Sequence, residues 1–281
     1  MPHSLIDLHM HSTASDGRLT PIELVDRVAA AGVALMALTD HDTLAGLDQA
    51  QQAAGQAGVG FVPGIELSAR WARGVVHIVG LGIDPANPVL VDGVAAQQAR
   101  RHQRAERIGE RLVQRGFDGI VERVNQAVGA GVPGRAHFAR DLLEQGHVST
   151  MQEAFDRYLK RGRPGYAPVD WASIEQVVEW IHAAGGVAVF AHPLRYDLSR
   201  GALRAAIQAF VAAGGDAIEV SNGGGGRDDV PAAAALARRF GLEASMGSDF
   251  HDPAFPWIRI GALAPVPGDL AVVWRRWPLA A

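Results

Sequence analysis

The chain has 281 residues, 48% of them hydrophobic and 20% charged, which is enough for a folded body with a real core. Its net charge is −4, no apolar run approaches the length of a membrane span, and Met1-Pro2-His3-Ser4 does not open a signal peptide, so a cytoplasmic location away from membranes is expected. Cys is absent, which excludes disulfides, thiolate metal sites and a cysteine nucleophile.

Leu5 to Leu8 reads as a strand. A helix follows from Thr20, its N-cap, with Pro21 in the first turn and Gly32 ending it. Ala34 to Leu38 is the next strand, and Thr43 to Ala57 the next helix, stopped by Gly58. Gly60 to Val62 leads to Glu66, and Val75 to Leu81 forms another strand. The link Ser68 to Gly74 is too short for a crossover helix, so simple β-α alternation breaks here. Four helical runs follow: Ala96 to Arg115, Gly119 to Val128, Arg135 to Glu144 and Thr150 to Leu159. The alternation then resumes with strand Val187 to Ala191, helix Gly201 to Ala213, strand Ala217 to Val220, helix Pro231 to Phe240 and strand Glu243 to Met246. The pattern predicts an α/β sheet or barrel over 1–94 and 165–281, with a helical insertion over 95–164. Residues 100–163 carry 13 Lys and Arg against 8 Asp and Glu, whereas the rest carries 13 against 22, which hints at an anionic ligand.

Histidines and carboxylates come in packets at the downstream ends of apolar runs. They are Asp7-Leu8-His9-Met10-His11-Ser12 with Asp16, Thr39-Asp40-His41-Asp42, Glu66, His77, His192-Pro193 and Gly247-Ser248-Asp249-Phe250-His251. Strand ends on one rim are where βα barrels place their chemistry, and His9 and His11, two apart, project to one face. Any one packet alone would be unremarkable; their joint occurrence points to a metal site assembled by the fold.

The series Asp-Leu-His-x-His-Ser, Thr-Asp-His-Asp, a downstream Glu, His-Pro and Gly-Ser-Asp-x-His resembles the PHP (polymerase and histidinol phosphatase) family. The phrases His11-Ser12-Thr13-Ala14-Ser15-Asp16-Gly17, Pro133-Gly134-Arg135-Ala136-His137-Phe138-Ala139 and His192-Pro193-Leu194-Arg195 further resemble its TrpH-like branch. The resemblance implies a distorted (β/α)7 barrel and three divalent metal ions, Mn2+ first, with Fe2+ or Zn2+ as alternatives. His9, His11, Glu66 and Asp249 would hold the first metal, Glu66, His77 and His192 the second, and Asp16, His41 and His251 the third. Many relatives carry His where Asp16 stands, and Asp is a competent ligand. Asp40, His41 and His251 are the candidate catalytic residues. The resemblance also supports Arg135, His137 and Arg195 as phosphate contacts, and Ser221 and Asn222 as further substrate contacts.

The implied activity is removal of the 3'-phosphate from nucleoside 3',5'-bisphosphates, by in-line attack of a metal-activated hydroxide on phosphorus. The alternatives are a 5'-to-3' exoribonuclease on short 5'-phosphorylated RNA and a histidinol phosphate phosphatase. A metal-binding regulatory module is the non-enzymatic alternative. A small nucleotide or short RNA is the expected partner, with no stable protein partner. Asp40 either orients His41 or caps the next helix, Asp42 reads as a cap, and Asp7 is placed to face His9. Arg100, Arg101, Arg104, Arg107 and Arg111 read as a solvated helix surface. Trp71 reads as packing, or else as a base-stacking surface. His3, His102, His147 and His182 read as surface or internally satisfied.

Overall fold

The computed structural model describes residues 5–72, 74–226 and 228–278; His3 lies outside them. Seven strands form one sheet in sequence order: β1 (Leu5–Asp7), β2 (Val33–Leu38), β3 (Gly60–Trp71), β4 (Gly74–Leu81), β5 (Val187–Phe190), β6 (Ala217–Asn222) and β7 (Glu243–Gly247). Pairing is parallel except at β3–β4 and β4–β5, both antiparallel; β3 and β4 form a hairpin in which 68–71 and Gly74, expected in the link, belong to the strands themselves. The edges β1 and β7 meet from the last residues of β7 onward, where Leu8 N donates to Met246 O (3.1 Å), Asp249 N to His9 O (2.8 Å) and His11 N to Phe250 O (2.9 Å). The result is the expected distorted α/β barrel.

Alternating strand residues fill two cores. Ile6, Leu8, Leu35, Ala37, Val62, Val79 and Val189 form the inner one, joined by Val273, Trp274 and Trp277 from the C-terminal segment. Their neighbours, among them Met36, Leu38, Ile78 and Phe190, face the helices α1 (Pro21–Ala30), α2 (Leu47–Ala57), α7 (Ile174–Ala183), α8 (Arg200–Ala212) and α9 (Asp229–Phe240). Thr20 caps α1 in a capping box with Glu23, as its sequence suggests. Helix α2 begins at Leu47 rather than Thr43. Residues 42–46 form a loop in which Asp42 has φ 51° and Gly46 packs so closely that a Cβ there would lie 2.9 Å from Leu38 Cδ2. Helix α7, which Ser173 caps in a box with Gln176, has no counterpart among the expected elements.

Helix α3 (Pro88–Val113) starts eight residues before the expected Ala96, capped by Asn87, and the 94/95 boundary falls inside it. Its first half joins the barrel core through Leu90 and Val94, with Gly93 against the Trp180 ring. Its second half joins a separate core through Ile108 and Leu112, together with α4 (Ile120–Val128), α5 (Arg135–Glu144) and α6 (Met151–Ala154). The predicted 150–159 helix is α6 followed by a π-helical turn, Phe155–Leu159. Among the described residues no helix is long and apolar enough to cross a membrane.

Candidate functional site

Glu66 sits where β3 leaves its parallel partner β2 and takes up antiparallel pairing with β4. It is fully buried, and its two oxygens divide between two sets of histidines. Oε2 lies 2.8 Å from His41 Nδ1 and 3.3 Å from the Nε2 atoms of both His9 and His11. Oε1 lies 3.0 Å from His77 Nδ1 and 3.0 Å from His192 Nε2. Asp249 Oδ1 faces His9 and His11 at 3.6 and 3.4 Å. Asp16 Oδ1 lies 3.3 Å from His251 Nε2 and 4.0 Å from His41 Nε2. All nine expected ligand positions thus converge on one rim. The grouping differs from the expected partition, because His41 turns Nδ1 to Glu66 and Nε2 to Asp16 and so belongs to two groups. His11 likewise falls both with His9 and Glu66 and with Asp16, His41 and His251.

The side chains suit divalent cations. Asp16 Oδ1, Glu66 Oε2, His41 Nδ1 and His77 Nδ1 are buried and make no hydrogen bond. Lone pairs turned on one another without donors are costly unless a cation satisfies them. The donors are all O and N, which fits Mn2+, Fe2+ or Zn2+. Two of the expected ligands, His192 (φ 29°) and Asp249 (φ 55°), hold left-handed backbone, a conformation that collects at functional sites.

Burial works against ionising Glu66, Asp16 and Asp249, yet the facing histidines outweigh it and hold all three well below the usual carboxylate range. Burial pushes His41 down to about 4 against the pull of Glu66 and Asp16, so its ring is neutral and ready to ligate at neutral pH. For His251 burial is outweighed by Asp16 and Asp249, which push it up to about 10. His9 is likewise raised, against burial, by Glu219, Glu66 and Asp249. A cation competes with those protons for the same lone pairs, so its binding releases protons.

Glu219 is the residue that sequence reading overlooks. His9 Nδ1 donates to its Oε1 (2.5 Å), while its Oε2 accepts from His192 N (2.6 Å) and Asn222 Nδ2 (3.2 Å). One buried carboxylate therefore fixes the tautomer of His9 and the turn carrying His192. Its signal was a lone acid in the apolar strand Ala217-Ile218-Glu219-Val220. Glu219→Gln is expected to lower metal affinity and kcat roughly 10–100-fold with the fold intact, read by metal titration of activity.

The neighbouring aspartates have other partners. Asp40 accepts from Ser12 N (2.8 Å), Ser12 Oγ (2.6 Å) and Ser15 Oγ (2.6 Å), shaping the loop between His11 and Asp16; it neither caps a helix nor touches His41 by hydrogen bond. Asp42 is no cap either. It accepts from Ser68 N (2.9 Å) and Oγ (3.0 Å) and pairs with Arg101 Nε (2.5 Å). Asp7 does not bond the His9 ring, whose Nδ1 goes to Glu219. Its oxygens take the amides of Ser248 (2.7 Å) and Gly261 (3.0 Å), and burial outweighs these bonds to push its pKa up to about 6.

Beside the cluster lies a cavity of about 500 Å3 whose lining includes Asp16, His41 and His77 together with Arg101, Arg104 and Arg135. The expectation that Arg101 and Arg104 are solvated is corrected here. Arg101 is 7% exposed, and Arg104 Nε is buried without a partner. Gln97, Arg101 and Arg104 share one face of α3, turned to the barrel rather than to water. Burial, with Arg135 and Arg101 adding to it, pushes Arg104 down to about 9. Burial and Arg101 also lower Arg135. Among the described residues Asp42 is the one carboxylate paired with these three cations. Trp71 lines the same cavity, 9% exposed, with its Nε1 unpartnered.

The other expected substrate contacts lie elsewhere. His137 accepts the Gly134 amide (3.1 Å), fixing the turn before Arg135, and lines a smaller cavity with Arg18, Arg123 and Arg140. Arg195 donates to Gly223 O (3.1 Å) and, with Asn222, lines a cleft beyond His192. Ser221 Oγ and Asn222 Oδ1 are buried without partners. Outside the site, His147 packs on the Phe117 ring, His182 lies 2.9 Å from Asp216 Oδ2 and His102 is exposed.

Residues 7–188 match the model of the PHP domain. The chain is 45% identical, over 96% of its length and 95% of the relative's, to a 3',5'-nucleoside bisphosphate phosphatase of Chromobacterium violaceum. It is 42% identical, over 97% of its length and 94% of the relative's, to the 5'-3' exoribonuclease Rnm of Escherichia coli. A solved structure of an amidohydrolase from Chromobacterium violaceum with bound sulfate superposes with a TM-score of 0.93 at 44% identity, covering 99% of both chains. With the nine-residue rim in place and relatives of matching length that act on phosphoric esters, the chain belongs to the PHP domain family and is a phosphoric ester hydrolase.

Proposed function

We propose that the chain is a metal-dependent phosphatase that takes the 3'-phosphate from nucleoside 3',5'-bisphosphates and leaves the 5'-monophosphate. The observation that carries this is one cavity joining unpartnered ligand lone pairs to an underpaired arginine cluster. Ligand side chains and arginines in one cavity suit two phosphates of one small molecule: Arg101, Arg104 and Arg135 take the 5'-phosphate, and the 3'-phosphate goes to the ligand side chains. His9, His11, Asp16, His41, Glu66, His77, His192, Asp249 and His251 would hold up to three cations, Mn2+ foremost. Such cations supply a hydroxide nucleophile at neutral pH and neutralise the phosphoryl oxygens. Glu219 keeps His9 in its ligating tautomer, Asp40 holds the loop that presents Asp16, and Trp71 walls the cavity. The curated relative from Chromobacterium violaceum, named for this same reaction, supports the reading.

The test is phosphate release in Mn2+ from adenosine 3',5'-bisphosphate against adenosine 3'-monophosphate, which lacks the second phosphate. Arg135→Ala is expected to raise KM for the bisphosphate roughly 10–100-fold, as for loss of a charged hydrogen bond, with little change for the monophosphate. An unchanged KM for the bisphosphate would remove Arg135 from the site.

A further inference from the structure

The arginine cavity holds more positive charge than one 5'-phosphate uses. Besides Arg101, Arg104 and Arg135, its lining includes Lys160 and Arg161. Arg101 is buried and Arg104 and Arg135 are half-buried, whereas Lys160 and Arg161 are exposed, so the cationic lining runs from the interior out to solvent. Lys160 and Arg161 follow directly from the π-helical turn Phe155–Leu159, which Lys160 N closes by donating to Phe155 O (2.9 Å). Such turns collect at functional sites. This one also brings the Phe155 ring to Arg135, whose guanidinium carbon lies 5.6 Å from the ring centroid. The chain then folds back on itself: Arg163 N donates to Lys160 O (2.9 Å), Gly165 N to Tyr158 O (2.8 Å) and Tyr166 N to Arg163 O (3.0 Å). Lys160 and Arg161 are therefore carried on a hydrogen-bonded turn that touches the arginine cluster through Phe155.

Charge decides what that turn can take. Arg101 is matched by Asp42, and Lys160 lies 2.6 Å from Asp156 in a half-exposed pair, which is worth little. Arg104, Arg135 and Arg161 pair with no carboxylate among the described residues. A 5'-phosphate, with about two negative charges at neutral pH, balances Arg104 and Arg135. That leaves Arg161, with Lys160 beside it, on the same cavity without an anion. Of the lining carboxylates, Asp16 belongs to the ligand cluster and Asp197 to the segment after His192-Pro193, and neither pairs with Arg161 or Lys160. We infer that the cavity takes nucleoside 3'-phosphates whose 5' end bears a diphosphate, with the α-phosphoryl group on Arg104 and Arg135 and the β-phosphoryl group on Arg161 and Lys160. The inference rests on the bisphosphate reading, which puts the first 5'-phosphoryl group on the arginines. The bond broken is unchanged: water's oxygen goes to the 3'-phosphorus, P–O3' breaks and O3' takes the proton. The products are inorganic phosphate and the nucleoside 5'-diphosphate, whose P–O–P bond stays intact.

The experiment compares the Mn2+-loaded wild type with Arg161→Gln on adenosine 3',5'-bisphosphate and on adenosine 3'-phosphate 5'-diphosphate. The wild type should show a KM roughly three- to tenfold lower for the 5'-diphosphate, as for one charged hydrogen bond made partly in solvent. Arg161→Gln should erase that advantage and leave the bisphosphate within about twofold, and Arg161→Lys, which keeps the charge, should restore part of it. A wild-type KM for the 5'-diphosphate no lower than for the bisphosphate, an advantage that survives Arg161→Gln, or an equal loss on both substrates overturns the 5'-diphosphate subsite and leaves the bisphosphate reading standing. Should the wild type turn over neither substrate, that reading falls, and the subsite is judged by calorimetry of adenosine 5'-monophosphate and adenosine 5'-diphosphate on the same proteins. Roughly three- to tenfold tighter binding of the diphosphate by the wild type, lost in Arg161→Gln, then supports it. Equal affinities, or a preference that Arg161→Gln keeps, overturn it.

Discussion

Stripped of divalent cations, the protein is expected to lose turnover of adenosine 3',5'-bisphosphate by at least about a thousandfold, and to regain it when Mn2+ is added back. The size follows from what the rim contains. Its reacting end is built from histidines and carboxylates, with no cysteine in the chain to act as nucleophile. Hydroxide supply and charge neutralisation at phosphorus, together several kcal/mol of barrier, therefore fall to bound cations. His9→Ala and Asp249→Ala should match the loss, with the fold preserved by circular dichroism. Chelation should also lower Tm, because cations bind the assembled rim and not the unfolded chain; saturation at a hundred times Kd contributes about 2.7 kcal/mol. Full activity in the stripped protein would sink the metal-dependent reading.

The rim was legible because each packet breaks an apolar run with a residue type that ligates metals, and strand ends gather on one side of a barrel. Barrel and strand count follow from the same alternation. What stayed hidden depends on partners distant in sequence. Glu219 is a single acid in an apolar strand, and its meaning lies in His9, 210 residues away. Arg101 and Arg104 have the spacing of an ordinary solvated helix face, and only the docking of α3 on the barrel turns that face inward. Asp42 has the local look of a helix cap, but the chain turns left-handed there and its carboxylate goes to Arg101, 59 positions on. The separation of Arg195 and His137 from the Arg135 cavity is likewise set by tertiary placement, since motif proximity says nothing about which side of a rim a side chain takes.

Replacing Arg101 by Met should destabilise the protein by about 3–5 kcal/mol, because Asp42 would remain as a buried charge without its counter-ion. Asp42 is 0% exposed and its other donors, Ser68 N and Oγ and Gln97 Nε2, are neutral. The cost belongs to the orphaned carboxylate rather than to the pair itself, so Asp42→Asn in the Arg101→Met background should recover much of it, and Asn tolerates the left-handed backbone at that position. Denaturant midpoints for both single variants and the double variant give the coupling energy. Turnover should not recover with stability, since Arg101 also lines the cavity proposed to take the 5'-phosphate. That split separates the two duties of one side chain: fastening α3 to the strand that carries Glu66, and presenting charge to the substrate. Wild-type stability in Arg101→Met alone would mean that neutral donors satisfy Asp42, and the fastening would then have to come from the apolar contacts of Leu90 and Val94.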